Sequence, residues 1–264
     1  MIKFFRKIRQ KLLREGKTTR YLKYAIGEIC LVVIGILIAL QLNLWKEERH
    51  KRAEEIQTLE QLKEEFTSNL NQLDEKISMR KSMLNASLHL LAYHDDLSLI
   101  HPDSVDIFLA RTTVSPTFDP ITNDLISSGR LYLISNLSLR RKLSTWTSEL
   151  IQVTEEEAAW ISLNRNSYKP FLRARYPLRN MYASKWSRLD VVKTLLLDKD
   201  GASNLSLGHS KKVPDYISFF TDPELENQLS SIASALMFAN AQSIALRKSI
   251  IEILALIDED LNKK

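Results

Sequence analysis

The amino-acid sequence predicts an all-α protein. Chain-breaking residues are scarce, since the 264 residues include only six glycines and seven prolines. No proline precedes Pro102, and neither glycine nor proline follows Pro223, so both ends of the chain favour long helices. We predict an N-terminal transmembrane helix that continues into a long helix of an extracytoplasmic antiparallel helical bundle.

The predicted transmembrane helix covers residues 24–45. No charged residue occurs from Ile29 to Trp45. With the residues just before it, this run reaches the ~20 residues that cross a hydrocarbon core of about 30 Å. A buried core helix is the alternative, but residues 31–40 lack the polar stripe of such a helix. The run also lacks the small-residue cleavage site of a signal peptide, so we expect an uncleaved signal anchor.

The charges that flank this span predict its orientation. Residues 1–23 carry nine lysines and arginines and one acid, Glu15, whereas residues 46–55 carry four basic and four acidic side chains. The positive-inside rule places the N-terminus in the cytoplasm and residues 46–264 on the other side of the membrane. The net charge of +5 then originates in the cytoplasmic tail. It gives no reason to expect a nucleic-acid partner.

Three regions follow from these observations. Residues 1–23 form a cytoplasmic basic segment that is amphipathic, because Phe5, Ile8 and Leu12 share one helical face. We expect this face to lie on the lipid bilayer, with docking of a protein partner as the alternative. Residues 24–45 are the transmembrane helix, and residues 46–264 form an extracytoplasmic helical domain.

Three residues of the span are candidates for packing against another helix. Glu28 is an ionisable group about one turn inside the membrane; it either reaches the interface, with Lys23 as a partner, or contacts another helix. Gly35 and Ala39 form a small-xxx-small pair that lets a second helix approach closely. The span or the long helices are therefore expected to bind a protein partner or a second copy of the chain.

The same segment resembles a known family. The run Tyr24-Ala-Ile-Gly-Glu-Ile29, followed by Val33-Ile-Gly-Ile-Leu-Ile-Ala-Leu-Gln41 and then Asn43 and Trp45, is similar to an uncharacterised family of small Bacteroidota membrane proteins. The resemblance is strong over residues 1–50 and looser around residues 127–131 and 136–140. It implies a bacterial inner membrane, and thus a periplasmic C-terminal domain. It implies no activity and no functional residues.

The sequence of the periplasmic part predicts a series of helices. Apolar residues at intervals near 3.6 indicate one continuous face on the first helix, which is expected to reach about residue 93. These residues are Leu59, Leu62, Phe66, Leu70, Leu73, Ile77, Leu84 and Leu88. Further helices are expected over residues 104–112, 120–128 (capped by Asp119 and stopped by Gly129), 137–168 (capped by Asn136 and ending near Pro170) and 223–262 (capped by Thr221 or Asp222). Residues 131–134 and 216–220 are short runs that fit helix or strand. No other segment reads as a second span.

The sequence contains no recognisable motif for a catalytic site, a metal site or a cofactor. Cys30 is the only cysteine and lies in the predicted span. The five histidines lack metal-binding spacing, and the glycines lack the spacing of a phosphate-binding loop. Acidic pairs such as Glu155 and Glu157 read as helix surface. We therefore expect a protein that is not an enzyme, with a hydrolase of unrecognised type as a minor alternative.

One stretch of the sequence stands out by its charge. Residues 158–189 contain no acidic residue, and aromatic residues are interleaved with the basic ones. The candidate anion- or partner-binding side chains are Arg165, Lys169, Arg173, Arg175, Arg179, Lys185 and Arg188. Basic and aromatic groups together suit an anionic ligand, a lipid headgroup or an acidic partner. The alternative is a solvated face that is neutralised by Glu155–Glu157 and Asp190, with the aromatic rings in the core.

The sequence therefore predicts a membrane-anchored periplasmic interaction module, a scaffold or accessory subunit of an envelope complex. An extracytoplasmic ligand-binding or sensory domain for an anionic ligand is the alternative.

Overall fold

A computed structural model describes residues 18–121, 130–188, 196 and 206–263. All regular elements in these ranges are helical and none is a strand, so the predicted all-α class is confirmed. The chain divides into two compact units, Met1–Thr58 and Leu59–Lys264, which are described separately. Most of the predicted amphipathic segment, residues 1–17, lies outside the described residues, and so does the predicted helix that Gly129 would end.

The first unit holds the beginning of helix α1, which spans Thr18–Asp95. The large apolar side chains from Ile29 to Trp45 are all 46% to 63% exposed. By length and composition the helix can cross a membrane, and none of its most apolar window is buried. An apolar surface of this extent is unfavourable in water, so this part of α1 has the properties expected of a membrane segment.

The second unit contains the rest of α1 and the shorter helices that follow it. The helices are α2 (Pro102–Thr112), α3 (Leu137–Leu163), α4 (Lys169–Arg175), α5 (Leu178–Arg188), α6 (Tyr216–Phe220) and α7 (Pro223–Leu261). Single 3-10 turns cover Leu97–Leu99 and Arg130–Leu133, and a π turn covers Asn164–Tyr168. The two runs that fitted helix or strand are therefore a 3-10 turn and α6.

Capping side chains set two of the boundaries as predicted. The Asn136 side chain accepts hydrogen bonds from the backbone N–H groups of Ser138 and Leu139 and begins α3. Asp222 accepts from the N–H of Glu224, and Pro223 follows it at the first position of α7. Both caps satisfy amide groups that have no partner within the helix.

The end predicted near Pro170 for the helix over residues 137–168 is wrong. The helical path passes through the π turn at Asn164–Tyr168 and continues into α4. Pro170 is the second residue of α4, and it has no N–H to donate to a carbonyl of the preceding turn. In that turn the Lys169 N–H donates to the Asn164 carbonyl, five residues earlier, and this π-type pattern carries the helical path past the proline.

Contacts along α1, α3 and α7 define the bundle. Lys63 pairs with Asp258 and Asp74 with Arg247, so α7 runs antiparallel to α1. Phe66 packs edge-on against Trp146, with ring centroids 4.9 Å apart. Since Arg80 further along α1 meets Glu157 further along α3, α1 and α3 run in the same direction. The antiparallel prediction therefore holds for α7 against both of its neighbours.

The core forms two apolar clusters. One includes Leu59, Phe66, Trp146 and Ile253, and the other includes Trp160, Tyr168, Phe220 and Leu229. Residues between the two clusters, on all three long helices, are polar and buried: Arg80, Glu157, Asn240 and Ser243.

The predicted apolar face of α1 is displaced in its second half. Leu84 is only half-buried and Leu88 is 51% exposed. The buried positions after Ile77 include Arg80, Met83 and Leu90 instead. The sequence interpretation missed this because it did not allow a charged side chain on the core face.

The expectation that no second segment is apolar enough to span a membrane is wrong for α7. By length and composition, α7 is apolar enough to cross a membrane. However, 44% of its most apolar window is buried in the domain. Its inward side chains include the polar Asn240 and Ser243, so α7 serves as a central helix of this bundle.

Candidate functional site

The seven basic residues predicted as a binding site separate into different environments. Arg175 pairs with Asp222 at 3.5 Å, and the charge of Arg188 partly opposes the rise in the pKa of Asp106 that burial causes. Arg173 is exposed on α4. Each of these three arginines therefore has different surroundings.

Arg179 has a structural role. Its Nε donates a hydrogen bond to the carbonyl of Leu207 at 2.8 Å. The next residue, Gly208, has φ of 62°, in the left-handed region that favours glycine. A Cβ on this glycine would lie 3.0 Å from Nη2 of Arg179. Asn180 also accepts from the N–H of Ser210, so α5 holds the segment 206–210 through two adjacent side chains.

The remaining three basic residues lie near one another. Lys185 of α5 donates to the hydroxyl of Thr113 at 3.3 Å. Burial, together with a smaller effect of the charge of Lys169, lowers the pKa of Lys185 to about 8. Burial also lowers the pKa of Lys169, with a contribution from the charge of Arg165. Within the described ranges, neither lysine forms an ion pair with a carboxylate. We call Arg165, Lys169 and Lys185 the lysine cluster.

The alternative of a neutralised surface is wrong in one respect. Glu157 is not on the surface but 3% exposed, and it is bonded to Arg80. It therefore does not neutralise the basic stretch, and Asp190 lies outside the described residues. The other half of that alternative is confirmed for Trp160, Tyr168 and Tyr176, whose rings are buried in the core.

The pairing of Arg80 and Glu157 was missed from the sequence. Arg80 Nη1 donates to one oxygen of Glu157, whose other oxygen accepts from the N–H of Phe118 at 2.7 Å. Arg80 also donates to Asn240 at 3.0 Å and to Ser243 at 2.6 Å. Burial lowers the pKa of Arg80 and raises the pKa of Glu157, against the opposing effect of the pair itself. The only sequence signal for this centre is the position of Arg80, which stands where the spacing of the apolar residues of α1 would place an apolar side chain.

A polar cavity of about 320 Å³ lies where α2, α5 and the segment before α6 meet. Asp106 lines it and accepts a hydrogen bond from the Tyr176 hydroxyl at 3.0 Å. Burial raises the pKa of Asp106, while Tyr176 and Arg188 lower it. Both signs of charge line this cavity, so it selects no single class of ion. In the described part of the chain, no three His, Cys, Asp or Glu side chains group as metal ligands.

The outward face of α7 is largely apolar. Met237, Ile244 and Ile251 recur every seven residues and are 60%, 39% and 41% exposed. Seven residues are close to two helical turns, so these side chains form one line along the helix. Phe238, 62% exposed, lies beside the first of them. On the same face, Ala241 lies between Met237 and Ile244, the exposed Lys248 lies between Ile244 and Ile251, and Ala255 follows. We call this face the α7 stripe.

The candidate packing residues of the span lie on the exposed α1 of the first unit. A Cβ added at Gly35 would meet no atom within 4 Å, and Ala39 is exposed. Glu28 is partly buried and does interact with a neighbour. The small face is therefore accessible in a single chain, and its pairing with a second helix stays a prediction.

Comparison with known proteins adds one finding. Residues 28–147 match a family of unknown function, DUF6090. The match begins in the predicted span and ends within α3, and it confirms the resemblance to an uncharacterised family. No curated protein and no solved structure matches the chain. Both the α7 stripe and the lysine cluster lie beyond the matched residues.

Proposed function

We propose that this protein is a membrane-anchored helical interaction module, a scaffold or accessory subunit of a bacterial envelope complex, and that it is not an enzyme. The α7 stripe carries this proposal. Exposed apolar side chains on a regular helical line are unfavourable in water and are typical of a face that packs against another helix.

The pattern of the stripe favours a helical partner. Large side chains at Met237, Ile244 and Ile251 fall in register with every second turn. The small side chains at Ala241 and Ala255 leave room for the side chains of a facing helix. An amphipathic helix with an apolar face matches this surface best, and Lys248 favours an acidic residue on it.

The anchor determines where the module works. The apolar part of α1 supports insertion into a membrane, and the nine basic residues before it support a cytoplasmic N-terminus. Residues 46–264 then belong to the periplasm of a cell with an inner membrane. A bilayer is thus one partner, and a protein of the envelope, or a second copy, is the other.

The interior of the domain also supports a structural role. Its buried charged pair, Arg80 and Glu157, is bonded on every side to the helices around it. Such a pair fixes the register of three helices, which suits a rigid platform. On this view the polar groups of the core stabilise the fold, and binding takes place at the surface.

Photo-crosslinking in native membranes tests this proposal. A crosslinking amino acid at position 244 of the full-length chain is expected to trap a defined partner, and Ile244→Glu is expected to weaken the association at least about tenfold. The matched control is Ile217→Glu, because Ile217 is 67% exposed on α6, outside the stripe.

Two results decide the test. A crosslinked product from position 244 that is absent from position 217 supports the proposal, and its mass distinguishes a second copy from another protein. No product from position 244, or equal losses for both glutamate variants, would overturn it.

A further inference from the structure

We propose that the polar cavity between α2, α5 and the segment before α6 binds a small zwitterion of the amino-acid class. Its volume of about 320 Å³ falls at the lower end of the range for small-molecule sites, roughly 300–1,000 Å³. The residues that line it come from α2, α5 and residues 209–216, and none of those described belongs to α7. The inference therefore goes beyond the interaction module and concerns a surface separate from the α7 stripe.

The wall of the cavity that α2 forms is acidic. Asp103 and Asp106 are three residues apart on this helix, so they share one of its faces, and both line the cavity. The Tyr176 hydroxyl donates to Asp106 at 3.0 Å. Tyr176 is itself 5% exposed and packs against Phe219, with ring centroids 5.0 Å apart. The core therefore holds the Asp106 carboxylate in place, and since a carboxylate accepts several hydrogen bonds, an ammonium group can bind it beside Tyr176.

The walls that α5 and residues 209–216 form are basic. Asn180, Ser184 and Arg188 recur every four residues along α5, so one face of this helix lines the cavity and ends at Arg188. His209 and Lys212 line it from the segment before α6. A guanidinium pairs with both oxygens of a carboxylate, and an ammonium adds further donors. These walls therefore suit the carboxylate group of a ligand.

Hydrogen bonds to α5 hold the segment that carries Lys212. The Asn180 side chain accepts from the N–H of Ser210 at 2.7 Å, and Arg179 donates to the carbonyl of Leu207 at 2.8 Å. The Ser210 hydroxyl in turn accepts from the N–H of Lys212 at 3.1 Å. The protein alone therefore builds this wall, and a ligand would enter a largely preformed site.

The charges of the opposing walls are not paired with one another. In the part of the chain that the structure describes, Asp103, Asp106, Arg188 and Lys212 form no ion pair with a nitrogen–oxygen distance of 4.0 Å or less. Burial raises the pKa of Asp106, because a charge that loses its hydration is costly. A ligand with one ammonium and one carboxylate group would satisfy both kinds of wall, whereas a simple anion or cation would satisfy one.

Isothermal titration calorimetry on the full-length protein in phosphatidylcholine nanodiscs tests this site. The probes are the neutral proteinogenic amino acids, added one at a time. The tightest binder is compared with two analogues that keep its side chain, one without the amino group and one without the carboxyl group. The variants are Asp106→Asn, which keeps an acceptor for Tyr176, and Arg188→Gln on the basic wall. The control is Glu155→Gln, exposed on α3.

We expect at least one amino acid to bind with a Kd of about 1 mM or tighter, and removal of either charged group of that ligand to weaken binding at least about tenfold. Asp106→Asn and Arg188→Gln should each weaken binding by a similar factor, because each removes the counter-charge of one ligand group. Glu155→Gln should leave binding unchanged.

The proposal is overturned if no probe binds, if an analogue with a single charge binds as well as its parent amino acid, or if a folded cavity variant binds as well as the wild type. Arg188 is exposed, so its glutamine variant is expected to fold even if the Asp106 variant does not. Partner crosslinking at position 244 probes a different face, so the two proposals fail independently.

Discussion

Arg80 and Glu157 form a salt bridge in the interior of the helical domain, where their side chains are 0% and 3% exposed. The pair joins α1 to α3, and Asn240 and Ser243 extend it to α7. Because it lies between two apolar clusters, a shift of any one of the three helices would separate charged groups that have no access to water. The pair therefore specifies the alignment of the bundle.

Removal of one partner should destabilise the domain strongly. Glu157→Gln leaves the Arg80 guanidinium buried without a counter-charge, so we expect a loss of about 3–5 kcal/mol in the free energy of unfolding. The measurement is the urea midpoint at an unchanged slope. Glu155→Gln, on the exposed part of the same helix, is the control and should change stability by less than about 0.5 kcal/mol. Equal effects of the two variants would contradict the buried pair.

The lowered pKa of Lys185 predicts a pH-dependent stability. The pKa falls from its ordinary 10.5 to about 8 in the folded protein. Between these values the unfolded chain binds more protons, so this group makes folding more favourable as the pH rises from 8 towards 10.5. Below pH 8 the cost of burying the charge is fully present.

Lys185→Met isolates this effect from the other titrating groups. The variant should be more stable than the wild type near pH 7, and the difference should shrink as the pH approaches 10.5. Urea midpoints of both proteins at several pH values provide the measurement. A difference that stays constant over this range would show that the Lys185 ammonium is not destabilised by the fold.

Gly208 should tolerate few side chains. Alanine at its φ of 62° costs about 1–2 kcal/mol. The added Cβ would also push against Nη2 of Arg179, which is the end of a flexible side chain and can move. We expect Gly208→Ala to accelerate hydrogen exchange at the Ser210 amide. Gly208→Asn, which adopts this conformation more readily, should have a smaller effect, and similar exchange in both variants would argue against backbone strain.

Asn136 combines two roles at the start of α3. It caps the helix, and its Nδ2 donates to Asp260 of α7 at 3.2 Å. Asn136→Ala should lower the free energy of unfolding by about 0.5–2 kcal/mol. Asn136→Ser should recover the cap but not the contact with Asp260. If the serine variant were no more stable than the alanine variant in thermal unfolding, the capping role of Asn136 would be wrong.

Much of the fold follows from local sequence rules. Asn136 and Asp222 cap helices as their side-chain chemistry predicts, and the rarity of glycine and proline favours the long helices α1 and α7. Pro170 shows where local rules fail. A proline signals the end of a helix unless the preceding turn changes its hydrogen-bond pattern. No local sequence feature predicted the π turn that precedes Pro170.

The candidate sites were less accessible from the sequence because they depend on tertiary partners. Charge composition identified the basic stretch but could not show that its members have different partners. Arg175 pairs with Asp222, which is distant in the sequence, whereas Lys185 donates only to a hydroxyl. Likewise, Glu157 resembles its exposed neighbours until Arg80 is placed opposite it. The α7 stripe was not predicted, because the sequence does not reveal which face of α7 is covered.

The topology of the full-length chain tests the central claim most directly. In a Cys30→Ser background, single cysteines at position 10 and at position 217, which is exposed outside the α7 stripe, are treated with a membrane-impermeant maleimide on intact spheroplasts and again after lysis. A membrane-anchored periplasmic module predicts labelling of position 217 on intact spheroplasts and of position 10 only after lysis. Labelling of both positions only after lysis, with release of the protein by alkaline carbonate, would contradict the account.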